Sequence, residues 1–137
     1  MIIDRHAGPA QQTRALGVQA RTLEIYAQLG IVDRAQELGK QGTGANIWSN
    51  GRKTARVPLG ETGRGVTPYP YILILGQDDN ERIMGEKLRS FGSDVQWNTE
   101  LTALKQEPDH VVATLKQPDG TTREVKAAWV AGCESAR

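Results

Sequence analysis

Two arginines, one acidic residue and one glutamine stand where side chains in this sequence can do chemistry with a ligand. Arg14 lies just ahead of a helical pattern over residues 18–29, and Arg21 lies two turns further on. A cation beside the exposed backbone N–H groups of a helix start makes a seat for phosphate. The same spacing fits two solvated surface residues, since charge is normally exposed. Asp4 ends the short apolar run Met1-Ile2-Ile3. An acidic residue at the C-terminal end of a strand is where nucleotide-binding α/β units hydrogen-bond a ribose hydroxyl; a strand simply reaching solvent reads the same way. Gln77 stands at a strand-to-helix junction, where its amide can donate and accept hydrogen bonds or be an ordinary loop glutamine. Cys133 reads as a packed small residue rather than a nucleophile, because no His–carboxylate pair can be assigned to it. His6 and His110 have no partner at ligand spacing, so neither a metal site nor a catalytic residue is expected.

The elements that must position these residues follow from periodicity. Val18, Thr22, Ile25 and Leu29 recur at helical spacing, with Leu23 and Tyr26 widening the apolar face. Gly30 is the expected stop, and a shorter helical run covers residues 31–38. Residues 45–49 alternate, Asn50-Gly51 signals a type I′ turn, and 53–59 is the returning strand. Glycines 60, 63 and 65 with prolines 68 and 70 mark a loop. Neither Gly42-x-Gly44 nor Gly63-x-Gly65 is a phosphate loop, since neither follows a strand and opens a helix. Residues 71–75 form a continuously apolar strand. A helix over 79–91 follows, with Asp78 and Glu81 at capping-box spacing and Met84, Leu88 and Phe91 as its buried stripe. Residues 95–104, 111–116 and 122–130 read as strands of an antiparallel excursion, with Pro118-Asp119-Gly120 as a hairpin turn and Trp129 in or beside a sheet.

A chain of 137 residues fits one domain. Leu, Ile, Val and Phe make up about a fifth of it, near the lower limit for globular sequences, so the core should be lean and suited to packing against more protein. The net charge of +1, without a basic stripe interleaved with aromatics, excludes the nucleic-acid binders. A single cysteine excludes an intrachain disulfide and a cysteine-based zinc site. No apolar run approaches a membrane span and Met1-Ile2-Ile3-Asp4 is no signal peptide, so a cytoplasmic protein is expected.

Four segments, IIDRHAGP, TRALGVQARTLEIYAQLGI, LGQDDNERIMGEKL and VAGCESAR, fall in the order and at the spacing of the FAD-dependent aromatic hydroxylases. The chain resembles these single-component flavoprotein monooxygenases, similar to para-hydroxybenzoate and phenol hydroxylases, over nearly its whole length. The second segment is the most specific. The resemblance implies an α/β fold, a partial Rossmann-like FAD-binding module with an antiparallel β excursion. It implies FAD as cofactor, NAD(P)H as co-substrate and an aromatic small molecule as substrate of the full enzyme. By position, Asp4 matches the acidic residue on the adenosine ribose and Arg5 its basic neighbour near the adenine. Arg14 matches the arginine lining the pyrophosphate, and Arg21 lies in the same helical motif on the cofactor side. Gln77 matches the glutamine of the ribityl-diphosphate region, and Glu134 with Ser135 takes the place of the Asp-Gly motif.

The sequence also departs from the family. The GxGxxG loop that precedes the Asp4 strand there is absent from these residues. Glu134-Ser135 lengthens a carboxylate and adds a side chain where backbone should approach closely. The chain therefore reads as a single partial domain, an internal slice of a hydroxylase that is inactive alone. The alternative is a non-catalytic remnant that folds or self-associates through exposed sheet edges without cofactor.

Overall fold

The apolar run at residues 71–75 becomes the middle strand of one of two units into which the chain divides. The computed structural model describes residues 1–11, 16–60 and 63–133. In chain order its elements are β1 (Ile2–Ile3), β2 (Gly17–Val18), α1 (Ala20–Leu29), α2 (Val32–Leu38), β3 (Lys40–Gly42), β4 (Gly44–Ser49) and β5 (Arg52–Pro58). Then follow β6 (Ile72–Ile74), α3 (Gln77–Ser90), β7 (Val95–Gln96), β8 (Glu100–Gln106), β9 (Val111–Lys116) and β10 (Thr122–Ala127). One unit comprises Pro9–Gly92; the other joins Met1–Gly8 to the chain from Ser93 onward. Mixed α/β structure is as expected.

In the Pro9–Gly92 unit, β6 pairs antiparallel with β2 on one side and β3 on the other. Side chains alternate along a strand, so Tyr71, Leu73 and Leu75 enter the core while Ile74 stays 41% exposed. The run is apolar throughout but buried on one face. Leu23 and Tyr26 of α1, Val32 and Ala35 of α2 and Ile83 of α3 close over it. The Tyr26 hydroxyl donates to Asn80 Oδ1 at 2.7 Å, tying α1 to α3. Gly30 ends α1 in the left-handed conformation, φ 69°, as its place in the sequence requires. At Gly39 a Cβ would lie 2.8 Å from Leu73 Cδ1, so only glycine lets the chain cross this close to β6.

The expected helices form, with different buried faces. Gly17 and Val18 are drawn into β2, so α1 begins at Ala20, and its buried residues are Leu23 and Tyr26 rather than Ile25 and Leu29. Of the expected α3 stripe, Met84 and Phe91 are exposed and Ile83 is the buried residue. The Lys87 ammonium lies over the exposed Phe91 ring, 4.9 Å from its centroid. The capping box does not form: Gly76 is the N-cap and makes no side-chain cap bond. The β4–β5 hairpin turns at Asn50-Gly51, both with positive φ, as a type I′ turn demands. Ile47, Trp48 and Val57 lie exposed on it, at 49%, 62% and 43%.

In the other unit, β1 and β7 pair in parallel, Ile2 opposite Val95 and Ile3 opposite Gln96. The antiparallel excursion is a three-stranded meander, β10-β9-β8, with Ala113 and Leu115 of β9 buried. Residues 95–104 are not one strand: a turn at Trp97-Asn98 separates β7 from β8. Trp129 lies in no strand and is 90% exposed, because the β9 ladder ends where Val111 meets Ala127.

Candidate functional site

One polar group near an expected ligand position is the carboxylate at the end of β1. Asp4 N–H continues the parallel ladder by donating to Gln96 O at 3.1 Å. Thr99 N–H donates to Asp4 O at 2.9 Å, and Asn98 N–H donates to His6 O at 2.8 Å. Asn98 reaches that position with φ 53°, which asparagine tolerates better than most residues. Residues 4 and 6 are thereby clamped to the turn between β7 and β8, with Thr99 itself buried. The Asp4 side chain then accepts two hydrogen bonds on one oxygen, Oδ1: His6 N–H at 2.8 Å and His6 Nδ1 at 2.7 Å. Partial burial would raise its pKa, but these bonds from His6 and the charges of His6 and Arg5 outweigh it and leave the carboxyl below its ordinary value. It is anionic at neutral pH. Arg5 beside it is exposed.

In the Pro9–Gly92 unit, Arg21 is the second residue of α1, in its first turn rather than two turns in. The first turn carries no acidic residue and the N-cap, Gln19, gives no side-chain bond. Arg21 Nη1 donates to Glu24 Oε2 at 2.9 Å with three quarters of the side chain exposed. Glu24 also accepts from Thr67 Oγ1 at 2.8 Å, and the Arg21 and Thr67 hydrogen bonds hold its carboxyl below the usual value. An exposed i,i+3 pair of this kind is weak, so an anion can compete for the guanidinium. Gln77 is the first residue of α3, and its Nε2 donates to Glu81 Oε1 at 2.8 Å. The other Glu81 oxygen accepts from Ala10 N–H at 2.8 Å, so this carboxylate steers Gln77 and fastens the loop at Ala10.

Asp4 and Arg5 thus lie together in one unit, and Arg21 and Gln77 lie in the other, on α1 and α3. Arg14 and Glu134 fall outside the described residues. The ligand expected from sequence is a dinucleotide, and Asp4 fits its adenosine end: an anion at the end of a parallel strand, with Oδ1 held and Oδ2 carrying no hydrogen bond among the described residues. Sequence reasoning missed His6 and Glu81 as neighbours of these residues. The Asp-x-His spacing, which suits an Asx turn, was the signal available for His6. Among the described residues no three His, Cys, Asp or Glu side chains gather as a metal site, and no helix is long and apolar enough to cross a membrane.

A family model described as an FAD binding domain matches residues 1–137. The chain is 35% identical to a 6-methylpretetramide 4-monooxygenase of Streptomyces rimosus, over 99% of this chain and 24% of that protein. It is 28% identical to a pentachlorophenol 4-monooxygenase of Sphingobium chlorophenolicum, over 99% of this chain and 25% of that protein. Among solved structures, the anhydrotetracycline hydroxylase OxyS of Streptomyces rimosus superposes with a TM-score of 0.79 at 30% identity, covering 96% of this chain and 25% of that one. The flavin-dependent monooxygenase PieE, solved with FAD and substrate, gives a TM-score of 0.86 at 23% identity, covering 98% of this chain and 26% of that one. The chain therefore has the fold of FAD-binding monooxygenases, and spans about a quarter of the length of the relatives it matches.

Proposed function

Because the chain belongs to the FAD binding domain family, we propose that it is the part of a flavin-dependent aromatic monooxygenase that grips FAD by its adenosine and pyrophosphate. Asp4 takes the ribose hydroxyls and Arg5 lies by the adenine. Arg14 and Arg21 meet the negative charge of the pyrophosphate, Gln77 the ribityl-diphosphate stretch, and Glu134 stands in the Asp-Gly position. When bound, FAD supplies the oxygen chemistry, with NAD(P)H as reductant, and the protein supplies position and electrostatics. These residues bind and orient; none of them is a catalytic residue. The aromatic ring to be hydroxylated is the substrate, and the compartment is the cytoplasm, in keeping with the single cysteine.

The observation that carries this reading is the Asp4 carboxylate at the end of a parallel strand, anionic and held by one oxygen. The exposed apolar residues of the β4–β5 hairpin support a second behaviour, self-association of the 137 residues when they are alone. The cofactor reading is tested in a hybrid in which these residues replace the segment they match in the 6-methylpretetramide 4-monooxygenase. Asp4→Asn keeps the shape and removes the charge. It should weaken FAD binding about ten- to a hundredfold, the range for one charge-assisted hydrogen bond. Equilibrium titration by flavin fluorescence reads this directly; unchanged affinity would return Asp4 to a strand end in solvent.

A further inference from the structure

We propose that His6 is a positioning residue for FAD: it fixes the Asp4 carboxylate through Oδ1, so that Oδ2 is the oxygen offered to the adenosine ribose. The proposal rests on the reading of Asp4 as the ribose-binding residue. The Asp4 side chain is 41% exposed and, left alone, would rotate in solvent. Ordering such a side chain on binding costs part of the interaction it makes. Two donors converge on Oδ1, and they differ in origin. The backbone N–H of residue 6 is available from any residue but proline. The ring nitrogen Nδ1, at 2.7 Å, is specific to the histidine. Nδ1 carries a proton and donates both in the imidazolium and in the Nδ1–H neutral tautomer. The orienting bond therefore does not require a charged ring.

The ring is held in place by backbone rather than by packing, since 68% of it is exposed. Asp4 N–H to Gln96 O, Thr99 N–H to Asp4 O and Asn98 N–H to His6 O fix residues 4 and 6 against one turn. That turn needs the left-handed backbone of Asn98 to form. The geometry sets the carboxylate before the ligand arrives.

The test has two parts. In the 137-residue chain, carbon-13 NMR of the Asp4 carboxyl should show its titration moving up toward the ordinary aspartate value in His6→Ala. In His6→Asn it should move less than in His6→Ala, because the asparagine Nδ2 keeps the bond that the histidine Nδ1 made and only the charge of the ring is lost. In the hybrid protein, His6→Ala should weaken FAD binding about three- to tenfold, the range for one hydrogen bond of ordinary strength. His6→Asn should restore it. The double variant Asp4→Asn/His6→Ala should bind no more weakly than Asp4→Asn alone, since His6 acts through Asp4. An unshifted Asp4 titration, an unchanged FAD affinity in His6→Ala, or additive losses in the double variant would each overturn the proposal. If Asp4→Asn itself leaves FAD affinity intact, the ribose reading falls and this proposal with it. A weakened Asp4→Asn beside an unaffected His6→Ala overturns this proposal alone.

Discussion

The 137 residues expressed by themselves are expected to bind no FAD and to show no hydroxylase activity. A dinucleotide pyrophosphate is gripped chiefly by the backbone N–H groups and helix dipole of a glycine-rich loop, and no GxGxxG occurs among these residues. Each charge-assisted hydrogen bond lost there is worth about 1.5–3 kcal/mol. Micromolar to nanomolar binding amounts to roughly 8–12 kcal/mol in all, so losing several such bonds removes measurable affinity. The relatives are about four times as long, and their length is where the missing contacts are to be sought. The isolated residues should also associate. Ile2 is 49% exposed on the two-residue strand β1, and among the described residues the β4–β5 hairpin pairs with no further strand and leaves Ile47, Trp48 and Val57 in the open. A purified preparation should be colourless, should not quench added flavin fluorescence, and should elute above the 15.0 kDa of one chain. A yellow, monomeric preparation with one FAD per chain would contradict this.

Leu73→Ala should destabilise the Pro9–Gly92 unit by about 2–5 kcal/mol, the range for removing a fully buried leucine. Leu73 is 0% exposed on β6, between β2 and β3, with the backbone at Gly39 pressed close to its side chain. Its neighbours are held by strand pairing on both sides, so they cannot collapse into the space left. Small domains are stable by only about 5–15 kcal/mol, so the loss is a large share of the whole. Urea denaturation should show a lower midpoint with an unchanged slope. Ile74→Ala, one residue along on the 41% exposed face, should cost far less. Equal losses at the two positions would mean that β6 is not buried as described.

What could be read in advance depended on whether a signal was local. Gly30 stops α1, Asn50-Gly51 turns the β4–β5 hairpin and Pro118-Asp119-Gly120 turns from β9 to β10, because each needs only its own backbone preferences. β2 and β3 were unreadable. They are two and three residues long, and they are strands only because distant β6 pairs with them. Pairing decided the ends as well: Trp129 has strand chemistry, but the ladder has already run out at Ala127. In the candidate site, Asp4 could be recognised because a carboxylate closing an apolar run is visible in sequence. The turn that clamps it could not, since Asn98 and Thr99 come from more than ninety residues away. Glu81 has the spacing of a capping residue, whereas the fold turns its carboxylate to Gln77 and Ala10.

The measurement that bears most directly on the cofactor reading is a crystal structure of the hybrid protein grown with FAD. The adenosine ribose should lie on the Asp4 carboxylate, with His6 still on Oδ1, and the pyrophosphate beside Arg14. A structure in which FAD binds while Asp4 faces solvent and Arg14 lies away from the phosphates would contradict that reading.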